Sequence, residues 1–286
     1  AGLEASGEAY VFCSGSQITD DWVVTAAHCI EGSRDVAGYG LTLAVLYGDD
    51  ILGAGYTDSV PWLEGYANPA YNSGLITDDS GLVQMAEKRP DIDWMVLNDA
   101  ILDDTWIGTE LTFYGFGITA DGLQNQGTKR TTKIPITGLD GSVVETYLPG
   151  TNVCNGDSGG PSTFEGPKGP EQVGINSWVS PGCVGGSAGS ARIDTQLGFI
   201  LGFVPNAALD YNQLPQDGPK GDPGAGGDRD FLDLGVSPDV PGLGGEWAEQ
   251  SGGAAHGACS HGPGGGVAWI ALAALFRRGN LRREAR

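Results

Sequence analysis

Positive charge is scarce in this sequence. There are 15 Lys and Arg against 36 Asp and Glu, for a formal net charge of −21. A nucleic-acid partner needs clustered cations to neutralise phosphates. Here five of the cations, Arg277, Arg278, Arg282, Arg283 and Arg286, fall in the last ten positions. Nucleic acid is therefore excluded as a partner, and the acidic balance speaks to solubility and self-repulsion, not to fold. Histidine is scarcer still, with only His28, His256 and His261. The five cysteines include no Cys-x-x-Cys pair, and with so few histidines beside them a zinc site has no ligand set, so neither a metal nor another cofactor is expected. A membrane-spanning run is also missing: the apolar stretch at 267–276 has ten residues, where a span needs about 20. No leader is visible, and Ala1 stands where a Met would open a coding sequence, so the chain is expected to begin downstream of the true start.

What is present is a succession of short apolar runs. WVVTAA (22–27), LTLAVLYG (41–48), WMVL (94–97), LTFYGFG (111–117), TTKIPITG (131–138) and QVGINSWV (172–179) are bordered by Gly, Asp, Asn and Pro. Such lengths and borders predict the strands of an all-β barrel or sandwich. LGFILGFV (197–204) alone predicts a helix. The composition then changes. Residues 1–211 form the expected folded domain, 212–258 a Gly-, Pro- and Asp-rich linker too poor in apolar residues to fold alone, and 259–286 a separate tail.

The stretch CNGDSGGP (154–161) concentrates the candidate chemistry. A serine hydroxyl is a weak nucleophile until a base takes its proton. Around Ser158, Gly156, Gly159 and Gly160 allow close backbone approaches, and the N–H groups of Gly156 and Ser158 can converge on a developing oxyanion. Residues 1–211 contain one histidine, His28 in TAAHC, which makes it the only candidate base in that domain.

CSGSQITDDWVVTAAHC (13–29), CNGDSGGP (154–161) and GINSWVSPGC (174–183) occur in an order and spacing that resembles the trypsin/chymotrypsin family of serine endopeptidases. The resemblance covers residue 8 to about 205. It implies a double six-stranded β-barrel with a short C-terminal helix, and an acyl-enzyme mechanism acting on protein or peptide substrates. It also implies two disulfides, Cys13–Cys29 and Cys154–Cys183, a pattern suited to a secreted protein. It implies His28 as general base, Ser158 as nucleophile and Gly156 with Ser158 as oxyanion hole. Ser177 would support the buried acid, and Trp178 would line the cleft. For the acid, DIDWMVL offers Asp93 and Asp91; Asp93, followed by four apolar residues, is favoured, because choosing Asp91 would put a charged Asp93 into the strand. The pocket residues implied are Asn152, Val179 and Ala188 or Gly189. Asn152 stands where an aspartate would select Arg and Lys, and Val179 narrows the mouth, so small or medium uncharged residues are the expected preference.

Two features depart from the family. Only twelve residues precede Cys13, without the Ile-Val-Gly-Gly start that would supply Asp157 with a cationic partner, so a zymogen-like chain is expected. The alternative is an inactive protease-like module for binding or display, which has no use for an intact Ser158, His28 and acid together. The tail, CSHGPGGGVAWIALAALFRRGNLRREAR, resembles a MYXO-CTERM sorting signal. That resemblance implies transient contact with the membrane or sorting machinery, processing or lipidation at Cys259, and a protease that is surface-attached or released outside the cytoplasm; the protein is expected to be a monomer.

Overall fold

The computed structural model describes residues 9–38, 42–167, 169–180, 182–215 and 269–275. Strand β1 (Ala9–Gln17) turns into β2 (Trp22–Thr25), which runs directly into helix α1 (Ala27–Gly38). Strands β3 (Thr42–Tyr47), β4 (Asp58–Ala67) and β5 (Gly81–Met85) follow. The short β6 (Val96–Leu97) leads to β7 (Glu110–Gly115), β8 (Arg130–Asp140), β9 (Val143–Thr146), β10 (Pro161–Gly166), β11 (Gly169–Ser180) and β12 (Ser187–Arg192). Helix α2 (Ile193–Phe203) comes next, and β13 (Trp269–Leu275) is the last described element.

The strands form two β systems. The first is a closed barrel in the order β1-β13-β3-β4-β5-β2. The second runs β10-β7-β8-β9-β12-β11-β6, and pairing of β10 with β11 closes six of its strands on themselves, leaving β6 as an outlying parallel partner of β11. This is the double barrel expected from the sequence. Alternation along each strand sends one set of side chains inward. In β8, for example, Ile134 and Ile136 are fully buried while Lys133 is exposed. Val23, Val24, Val45, Leu46, Leu82, Val83 and Leu272 belong to the core built in and around the first barrel. Leu111, Phe113, Ile134, Ile136, Val144 and Val173 fill the second.

The helix expected around 197–204 is α2. Helix α1 has no counterpart in the expectations, because its sequence, AHCIEGSRDVAG, has no marked apolar stripe. A larger difference concerns the tail. Trp269–Leu275 is a barrel strand, paired with β1 from Ala9↔Leu275 to Ser16↔Trp269 and with β3 from Thr42↔Leu275 to Leu46↔Ala271. The folded domain thus takes one strand from beyond residue 211, contrary to the expected boundary. The physical reason is that β1 and β3 each present an edge whose N–H and C=O groups need partners. A short, charge-free apolar stretch is well suited to fill that slot. Most of the expected linker, from 216 to 258, and Cys259 lie outside the described residues.

Candidate active site

The hairpin of β1 and β2 delivers His28. Strand β2 ends at Thr25, Ala26 and Ala27 are fully buried, and His28 follows in the first turn of α1. Its neighbour Cys29 is bonded to Cys13 on β1, which pins this corner to the barrel. Closing that loop contributes about 3 kcal/mol in the chain-entropy model.

The partner of His28 is Asp79. Its Oδ2 accepts a hydrogen bond from His28 Nδ1 at 2.7 Å and from Ser177 Oγ at 2.5 Å, while Oδ1 accepts from the His28 backbone N–H at 2.9 Å. The Asp79 side chain is 1% exposed and the His28 ring 34%, so the acid is sealed beneath an imidazole that still reaches solvent. Burial alone would raise the carboxyl, but the hydrogen bonds and attraction from His28, with the Ser177 hydroxyl, outweigh it and hold Asp79 below its ordinary range. Asp79 also lies at the N-terminus of α1, where the helix dipole favours an anion.

Asp93 is the acid expected from the sequence, and it is not the partner of His28. It is an exposed residue, and WMVL is mostly connector: Trp94 Nε1 donates to Asp20, Met95 N–H to the Gln17 carbonyl, and only Val96–Leu97 is strand. The alternative, Asp91, is exposed and ion-paired with Arg89 at 2.7 Å. The penalty assigned to a charged Asp93 inside a strand does not arise, since β6 begins three residues later. The overlooked signal is DDSGLVQM (78–85). Its buried strand GLVQM follows Asp79 after one serine, but the apolar pattern is masked by Gly81. A Cβ at Gly81 would lie 2.9 Å from the Ala26 carbonyl oxygen, so the close approach of β5 to the His28 corner requires glycine there.

Ser158 sits in the turn between Cys154 and β10. Three contacts clamp this turn onto β1 and its neighbours, and a fourth anchors Ser14 itself. Ser14 N–H donates to the Ser158 carbonyl at 2.7 Å, and Ser14 Oγ donates to the Gly156 carbonyl at 2.8 Å. Ser14 Oγ in turn accepts from Phe116 N–H at 3.0 Å, and Gly159 N–H donates to the Asn176 carbonyl at 2.7 Å. Gly159 has φ +80°, and a Cβ there would run into Thr25 Oγ1 and the Ser14 carbonyl. Cys29 Sγ lies 3.7 Å from the Ser158 carbonyl oxygen and 3.7 Å from His28 Nε2, so serine and histidine flank the same sulfur. Among the described residues, neither Gly156 N–H nor Ser158 N–H has an acceptor.

Asp157 has no ion pair among the described residues. Instead Oδ1 accepts from Gly117 N–H at 2.7 Å and Oδ2 from Cys154 N–H at 2.8 Å. Desolvation pushes its carboxyl up to about 6 against the lowering effect of those N–H groups and of Arg130.

Two of the residues expected to form the pocket pair across adjacent strands. Val179 of β11 pairs directly with Ala188 of β12, and Trp178 with Gly189, so of the two candidates it is Ala188 that stands opposite Val179. Asn152 Nδ2 donates to the Gly186 carbonyl at 3.0 Å and its Oδ1 accepts from Val153 N–H at 2.9 Å. The Cys154–Cys183 disulfide ties the nucleophile turn to the end of β11. The Asn152 amide is thus engaged within its own neighbourhood.

The trypsin family model matches residues 1–199. Among curated proteins, the chain is 28% identical over 213 residues to brachyurin of Leptuca pugilator, covering 68% of this chain and 86% of that one. It is 28% identical over 190 residues to a trypsin of Phaedon cochleariae, with 58% and 68% covered. It is 25% identical over 231 residues to clotting factor C of Tachypleus tridentatus, of whose length it spans 22%. With a family model matched over residues 1–199, two barrels and two disulfides, the chain belongs to the trypsin family of serine endopeptidases.

Proposed function

We propose that the protein cleaves peptide bonds through Ser158, His28 and Asp79, with a preference for small or medium uncharged residues before the scissile bond. The observation that carries this reading is the three-point hold on Asp79 by His28 Nδ1, His28 N–H and Ser177 Oγ. With Nδ1 donating its proton to Asp79, Nε2 is left unprotonated and can accept the Ser158 proton. Ser158 Oγ then attacks the substrate carbonyl, whose oxygen gains charge and takes hydrogen bonds from Gly156 and Ser158 N–H. His28 passes the proton to the leaving amine, and water repeats the sequence in reverse to release the acyl group. Asp79 stays ionised and stabilises the imidazolium.

The specificity follows from the pocket. A Lys or Arg side chain would meet Asn152, whose Nδ2 already donates to Gly186, and would find no carboxylate to pair with. Val179, paired with the fully buried Ala188, would offer a substrate side chain apolar surface and no charge. Two disulfides support an oxidising compartment outside the cytoplasm. Cleavage near Cys259 would remove Trp269–Leu275 and with it β13, so the extracytoplasmic location is kept and the sorting role is not. Ser158→Ala, assayed on peptide and ester substrates beside the parent, tests the reading. The variant is expected to lose about 10⁴–10⁶ in turnover with its circular dichroism unchanged; retained hydrolysis would overturn the assignment.

A further inference from the structure

We infer that β13 is a positioning strand for the active site: a segment from the far end of the chain that holds β1 where Ser14 grips the Ser158 turn. The inference rests on Ser158 being the nucleophile. Strand β1 has two edges. Along one it pairs with β13 over nearly its whole length, from Ala9↔Leu275 to Ser16↔Trp269. Along the other it pairs with β2 only at Ser16 and Gln17. At Ser14 that second edge is taken by the nucleophile turn, through Ser14 N–H to the Ser158 carbonyl and Ser14 Oγ to the Gly156 carbonyl.

The β1 residues that β13 touches are therefore the ones that reach into the site. Ser14, opposite Ala271, holds the nucleophile turn and the carbonyl side of the oxyanion loop. Cys13, opposite Leu272, is bonded to Cys29, the residue next to His28. Leu272 is fully buried in the first core, and a register shift between Val11 and Cys13 fixes which residues face one another. On its other side β13 pairs with β3, so the barrel is continuous only while this strand is in place.

Residues 216–268, which lie outside the described residues, separate β13 in sequence from the rest of the described chain. Among the described residues its hold is the ladder on both edges plus the buried Leu272, which is the physics of strand addition to a sheet. A strand held in this way is expected to stay bound after the connection is cut, and to be replaceable by a peptide of the same sequence.

The test uses the full chain with a site-specific cleavage sequence placed between Gly244 and Gly245. After cutting, the C-terminal fragment is expected to co-elute with the body on gel filtration, and hydrolysis is expected to persist within about twofold. Fragment retention is read without any activity, so failure of this inference is distinguishable from failure of the Ser158 assignment. Stripping the fragment in mild denaturant and returning to buffer is expected to lower kcat by about 10²-fold, the scale of a lost oxyanion donor, with KM within about threefold. A synthetic peptide of residues 262–282 should restore kcat saturably, while a scrambled peptide should not. Leu272→Ala in the intact chain provides a milder probe, with kcat expected to fall about tenfold, KM and circular dichroism unchanged, and recovery on adding the same peptide. A fragment that separates freely, or a stripped body with unchanged kcat, would overturn the inference; so would a Leu272→Ala variant that loses thermal stability alone.

Discussion

Replacing Asp79 by asparagine tests the assignment of the acid most sharply. In the native site Oδ2 accepts from His28 Nδ1 and from Ser177 Oγ, and Oδ1 accepts from the His28 backbone N–H. The carboxamide in Asp79→Asn keeps one oxygen, and the backbone N–H, which can only donate, retains it. The new NH₂ then faces Nδ1 and must donate to it, so the ring proton moves to Nε2. An imidazole protonated at Nε2 cannot take the Ser158 proton. The expected loss is about 10⁴ in kcat, or about 5.5 kcal/mol of transition-state stabilisation, with KM little changed. Ser177→Ala removes one of the three hydrogen bonds to the same buried carboxylate and should cost about 1.5–3 kcal/mol, or about 10- to 10²-fold. Asp93→Asn and Asp91→Asn should each stay within about threefold of the parent, because Asp93 is exposed and Asp91 only neutralises Arg89 at the surface. The assay is steady-state hydrolysis of a chromogenic peptide amide across about pH 6–9. A loss at Asp93 equal to or larger than that at Asp79 would refute this reasoning.

Specificity and pH dependence offer three more checks. In a peptide-library profile, Ala, Val and Leu before the scissile bond should outrank Arg and Lys, since Asn152 gives a cation no partner, and a profile led by Arg and Lys would reverse the pocket reading. Val179→Gly, which opens the wall facing Ala188, should extend the preference to larger apolar side chains without changing that order. Stability should depend on pH through Asp157: with a carboxyl raised from 3.8 to about 6, the folded state binds the proton more tightly than the unfolded one. Its contribution, up to about 3 kcal/mol, is full below about pH 4 and lost as pH rises through about 6. Asp79, held low, works in the opposite direction, its contribution being present above its ordinary range and lost as pH falls. Thermal melts from about pH 5 to 7 should therefore show falling stability, and Asp157→Asn should flatten that slope; an unchanged slope would remove Asp157 as its cause.

The features legible in the sequence are those carried by short contiguous runs. CNGDSGGP and TAAHC each hold their chemistry within a few residues, and β3, β7, β8 and β11 appear as apolar runs with turn-rich borders. The acid is harder, because its identity depends on which strand passes beneath His28. That strand, β5, is disguised by Gly81, whose missing side chain is a consequence of tertiary contact with Ala26 and Ile30. WMVL looks like the better strand because it is more apolar, yet it mainly joins the two barrels, with Val96 and Leu97 adding to β11. The tail is ambiguous for a related reason. Its apolar residues suit a strand as well as a membrane-directed segment, and only the open edges of β1 and β3, distant in sequence, decide between them.

The central claim is that Ser158 is a nucleophile activated by the His28–Asp79 pair, and covalent trapping measures that directly. The full chain is treated with a peptidyl phosphonate carrying Val at the position before the reactive phosphorus, and the adduct is located by mass spectrometry. The account predicts one adduct per chain, on Ser158 within the peptide holding residues 154–161, and labelling slowed by about 10³-fold or more in His28→Ala. An unlabelled Ser158 in folded protein, or labelling equally fast without His28, would contradict it.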